Sequence, residues 1–74
     1  MPLITIETRG DEHEVQHFVG GTLVSQAWYS DRGEWSVRDC VSGSARQCYG
    51  RGAETCAREI AFEIAEEAAA EYVG

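Results

Sequence analysis

The chain contains no lysine. Six arginines supply all its basic charge against thirteen aspartates and glutamates, for a formal charge of −7 over 74 residues. That balance excludes any general attraction to phosphate backbones or anionic membranes, which the molecule as a whole repels. Its complementary partners are basic surfaces, although acidity also serves plain solubility. No apolar run approaches the roughly 20 residues of a membrane span. The opening MPLITIET lacks the basic segment and long apolar stretch of a secretory signal, so none is expected. The three cysteines, Cys40, Cys48 and Cys56, are odd in number and form no Cys-x-x-Cys pair. Such spacing does not suit a secreted disulfide framework. It points to a reducing, cytoplasmic location, with at most one pair able to bridge.

Glycine and proline are missing from the stretch 53–72 in the last third of the chain, where helix formers dominate. The spacing predicts one helix over about 53–72. At about 100° per residue, Ala57, Ile60, Ala61, Ile64, Ala65, Ala68 and Tyr72 share one side, while Glu59, Glu63 and Glu66 share the other. This is an amphipathic helix with a small-residue apolar face and an acidic back.

Upstream the alternation is that of strands, expected over about 3–8, 14–19, 22–29 and 34–41, with a short fifth strand or coil at 46–49. In the second, Val15, His17 and Val19 share a face opposite Gln16 and Phe18. In the third, Val24, Gln26 and Trp28 alternate with Leu23, Ser25, Ala27 and Tyr29. In the fourth, Trp35, Val37 and Val41 oppose Arg38 and Cys40. Turn chemistry separates them at Arg9-Gly10-Asp11-Glu12, Gly20-Gly21 and Ser30-Asp31-Arg32-Gly33. The expected fold is therefore α+β, one domain over 1–74, with an antiparallel meander of four or five strands packed on a C-terminal helix. A domain this small has a modest core, which a dimer interface, a partner or a metal would supplement. One helix covers only one sheet face, so Phe18, Trp28, Tyr29 and Trp35 are not expected to share a core, and some aromatic surface should face a partner.

Four patterns bear on chemistry. His13 and His17 stand four apart, which on a strand is about 13 Å, too far for a shared metal. They read as solvent-side histidines, the cysteines as semi-buried thiols, and no metal or cofactor is expected. Cys56 near the helix start invites a nucleophile reading. It lacks an assigned base and flanks the apolar face, so a packed small hydrophobe is preferred and no catalytic residue is named. Gly50-Arg51-Gly52 before a helix offers amides to an anion, but it lacks the glycines and strand context of a nucleotide loop. The acidic helix back is the favoured feature. Glu59, Glu63, Glu66, Glu67 and Glu71 set carboxylates along about 18 Å. Like charges at that spacing, and glutamates near a helix C-terminus, are unfavourable, and no arginine follows Glu59 to offset them. Such a row can stand in for phosphates in a basic channel, with Phe62 placed at its edge as an anchor.

Strands followed by Gly50-Arg51-Gly52-Ala53 and an Ala-rich helix resemble the second half of a double-stranded-RNA-binding domain, over about 34–70. That family carries lysines at the helix start, where this chain has Glu54-Thr55-Cys56. The same turn and Ala/Glu helix are similar to the antitoxin half of Hic toxin–antitoxin pairs. In size, acidity, all-arginine basic content and meander-plus-helix layout, the whole chain resembles phage-encoded anti-CRISPR proteins. That resemblance implies a small non-enzymatic inhibitor in the host cell cytoplasm, binding a Cas protein by protein–protein contact without touching nucleic acid itself. The residues expected to bind the partner are Glu59, Glu63, Glu66 and Glu67 with Phe62, or exposed sheet aromatics such as Trp28 and Trp35. The alternative expectation is an antitoxin-like or homodimeric interaction module.

Overall fold

A computed structural model describes residues 5–72. Five strands form one antiparallel sheet in chain order: β1 (Ile6–Asp11), β2 (Glu14–Val19), β3 (Thr22–Tyr29), β4 (Trp35–Asp39) and β5 (Ala45–Cys48). A 19-residue helix, α1 (Ala53–Glu71), lies across it. The expected α+β meander and helix are what the chain builds, and 45–48 is a strand rather than coil.

Two strand boundaries differ from expectation, each for a local reason. Leu3 and Ile4, assigned to the first strand, lie outside the described residues. β1 continues through Arg9-Gly10-Asp11, which the composition had marked as a turn. The turn falls at Glu12-His13 instead, because Asp11 Oδ1 accepts the amides of His13 (2.8 Å) and Glu14 (3.2 Å). That is the local side-chain bonding that lets aspartate start a turn. β4 stops at Asp39 in the same way. Its Oδ1 accepts the amides of Val41 (2.9 Å) and Ser42 (3.1 Å), so Val41 belongs to a turn. Val41 is 65% exposed instead of sharing the Trp35–Val37 face.

The β2–β3 hairpin closes on Gly20 and Gly21 at φ 59° and 82°, the left-handed pair a two-residue turn requires. A side chain at Gly20 would also strike the ring of Tyr72, which caps the end of α1. Further along, Phe18 faces Leu23 while His17 faces Ser25, so Val24 is an extra residue in β3. This bulge shifts the strand's phase and buries both Val24 and Ser25. Between β3 and β4 a short 3-10 turn, Asp31–Gly33, places Arg32 as well as Gly33 at positive φ.

The core lies between sheet and helix. Ala53, Ala57, Ala61 and Ala65, one per turn, are the buried residues of α1. They meet Val15, Ala27, Trp35, Val37 and Cys48 at one end of the sheet and Val19 and Val24 at the other. With only methyl groups at the seam, the helix backbone comes close enough for buried Ser25 to donate from Oγ to the Ala61 carbonyl at 2.7 Å. Ile60 and Ile64 close one flank of this contact half-buried.

Candidate functional site

The outer surface of α1 follows from that seam. Fixing alanines toward the sheet leaves Glu59 and Glu66 outermost, Glu63 and Glu67 toward the β4–β5 side, and Phe62 on the flank above β2. All five side chains are exposed. Glu59, Glu63 and Glu66 surround Phe62 in one shallow surface depression, joined by Thr55 and Arg58. The sequence expectation that these residues share one surface therefore holds for Phe62 and three of the glutamates. Glu67 lies across the ridge in a second depression, with Glu63, Ile60, Ile64, Val37 and Arg46.

Charge in this patch is unbalanced. Among the described residues the ion pairs are Arg9 with Glu7 at 3.2 Å and Arg58 with Glu54 at 2.9 Å, so Glu59, Glu63, Glu66 and Glu67 have none. Arg58, the one arginine of α1, is turned toward the sheet. It donates to the Asp11 carbonyl at 3.1 Å and lays its guanidinium 5.0 Å above the ring of Trp35. Nothing basic occupies the last turn of the helix.

Phe62 is 43% exposed and has a defined seat. Its ring meets His17 edge-on, with centroids 5.5 Å apart, and His17 Nδ1 shares a 2.9 Å hydrogen bond with Thr8 Oγ1. The solvent-side expectation for His17 is corrected: the imidazole is buried between β1 and the helix, and burial lowers its pKa from the ordinary histidine value. Its place between Val15 and Val19 was the signal that it belongs to the core. His13 is exposed at the β1–β2 turn, edge-on to Tyr29 at 6.0 Å.

The two tryptophans are separated by the thickness of the sheet. Trp35 is 4% exposed beneath Arg58 and Tyr29, which corrects its assignment as an exposed sheet aromatic. Trp28 is on the opposite, uncovered face, half-buried, between Glu14 and Ser36 on the neighbouring strands. Phe18 shares that face, under the guanidinium of Arg9 at 4.9 Å. A partner that meets the acidic helix does not reach Trp28.

Cys56, expected as a packed small hydrophobe, is exposed instead, whereas Cys48 is buried and Cys40 half-buried. His17 is engaged by Thr8 and Phe62 on the flank away from Cys56. A cleft at the start of α1 brings Glu12, His13, Tyr29, Trp35, Gly52 and Glu54 together. Glu12 and Glu54 there oppose an anion at the Gly50-Arg51-Gly52 amides. No group of three metal-ligating side chains occurs among the described residues, and no helix of the described chain is long and apolar enough to cross a membrane. Compared with protein-family models, curated proteins and solved structures, the chain matches none.

Proposed function

We propose that this chain is a small non-enzymatic inhibitor that acts by protein–protein contact. Its acidic helix surface occupies a basic, nucleic-acid-binding site on a CRISPR–Cas subunit or another nucleic-acid-processing protein, in the place of phosphates. The observation that carries this reading is the patch of Glu59, Glu63 and Glu66 around the exposed ring of Phe62, with no basic side chain paired to any of the three among the described residues. Four unpaired carboxylates along one helix incur mutual repulsion that a purely structural helix has no reason to keep. An aromatic anchor ringed by charge is the composition of a small recognition site rather than of a solvated surface.

The test is a pull-down of the tagged chain from its host lysate at low and high salt, followed by identification of what salt releases. The expected catch is a nucleic-acid-processing protein displaced by a DNA or RNA duplex. Its affinity for the chain should fall more than about 100-fold in the double variant Glu59→Lys, Glu63→Lys. Binding that survives both 1 M salt and the double reversal sinks the acidic-surface reading, since screening lengths shrink to about 3 Å there.

A second reading, an antitoxin-like or homodimeric module, draws on the sheet face that α1 does not cover, where Phe18, Leu23 and Trp28 are half-buried. Under that reading Trp28→Ala disrupts assembly and the helix reversals do not. The two variants therefore separate the readings in one experiment.

A further inference from the structure

Cys48 ends β5 and Cys56 lies in the first turn of α1, joined by the short Tyr49–Thr55 link. Helical spacing puts Cys56 on the same flank as Ile60 and Glu63, the flank turned toward the β4–β5 side. Cys48 reaches the same place from below, packed in the core cluster with Ala53 and Ala57, the residues either side of the first helical turn. The two thiols are adjacent, with Cys56 close enough to act as a side-chain hydrogen-bond partner of Cys48. One is buried and the other open to solvent. Cys40, in the turn after β4, is not part of this arrangement. Burial first, and the adjacent Cys56 second, raise the Cys48 thiol above its ordinary pKa.

We infer that Cys48 and Cys56 are a redox-active pair that a hydroperoxide converts to an intramolecular disulfide, fastening the end of β5 to the start of α1. The exposed Cys56 sulfur, as thiolate, attacks one peroxide oxygen. The O–O bond breaks, Cys56 becomes a sulfenic acid, and the departing hydroxide takes up a proton to leave as water. The Cys48 sulfur then attacks the Cys56 sulfur, the S–O bond breaks, and the thiol proton leaves with the hydroxide as a second water. Two thiols are oxidised and one hydrogen peroxide is reduced to two waters. Dithiothreitol reverses the change. The geometry supplies what such a pair needs: an accessible sulfur to be oxidised, and a sheltered second sulfur beside it that resolves the sulfenic acid before further oxidation. This inference is independent of the acidic helix surface, because neither cysteine belongs to the patch around Phe62.

The sequence makes the test direct. Trypsin cuts after Arg38, Arg46, Arg51 and Arg58, so Cys40, Cys48 and Cys56 fall on the separate peptides 39–46, 47–51 and 52–58. The reduced full-length chain is treated with an equimolar amount of hydrogen peroxide, alkylated and digested without reductant. The expected result is a monomer lighter by about 2 Da before alkylation, the mass of two hydrogens, and after digestion 47–51 joined to 52–58 with Cys40 alkylated. Cys40→Ser keeps that link. Cys56→Ser, a change at an exposed site that leaves the core intact, leaves Cys48 reduced under the same treatment. A link involving 39–46, a link between two chains, or recovery of 47–51 and 52–58 unlinked overturns the inference.

Discussion

Thr8, His17 and Phe62 form a short column from β1 through β2 to the surface of the helix, and the imidazole in its middle sets a pH dependence. Burial holds His17 below the ordinary value of 6.5, so the folded state favours the neutral ring. As pH falls below about 6.5 the unfolded chain takes up a proton that the folded chain refuses, and stability declines until the folded-state pKa is passed. Unfolding free energy measured between pH 7.5 and 5 should therefore drop, and His17→Gln should flatten that part of the profile. A variant with the same slope as the parent would assign the drop elsewhere. Asp39 contributes in a lower range. The Ser42 amide foremost, and that of Val41, hold its carboxylate below 3.8 against the opposing effect of partial burial, so its contribution is lost only as pH falls beneath that value.

At the scale of elements, α1 is defined by how little it places against the sheet. The four alanines of the seam and the Ser25–Ala61 hydrogen bond leave no room for a larger side chain. Ala61→Leu should cost about 1–3 kcal/mol by overpacking. A lowered urea midpoint with an unchanged slope would register that cost, and an unchanged midpoint would contradict the close contact. Much of this element was legible in the sequence, because alanine spacing and the run of helix formers report a period directly. Likewise Gly20-Gly21 located its hairpin, since both positions demand left-handed backbone. The ends of β1 and β4 were less legible. Asp11 and Asp39 look like ordinary turn residues in either setting, and only the geometry reveals which amides they bind. Trp35 and Trp28 show the limit most plainly. Alternation sorts side chains into two faces, but which face receives the helix depends on packing far along the chain, and the Val24 bulge changes that phase inside one strand.

For the molecule as a whole, charge is segregated. The one arginine of α1 is committed to Trp35, Glu54 and Asp11, while the carboxylates beyond it face outward without partners among the described residues. Ionic strength should then act in opposite directions on folding and on binding. Raising salt from about 10 to 150 mM shortens the screening length from about 30 to 8 Å, which relieves repulsion along the helix and should raise the thermal midpoint. The same change should weaken capture of a basic partner. Parallel thermal scans and binding titrations over one salt series would show the two trends diverging. A midpoint that fell with salt would mean that the carboxylates are paired in solution.

The strand order, with every strand beside its neighbour in sequence, also bears on how quickly the structure is reached. Each hairpin closes a loop of only a few residues, at small entropic cost, and can form without waiting for the rest of the chain. The helix docks differently, since Ser25 meets Ala61 at a separation of 36 positions. The hairpins of the sheet are therefore local closures, whereas seating the alanine seam on β3 closes a far longer loop at a larger entropic cost.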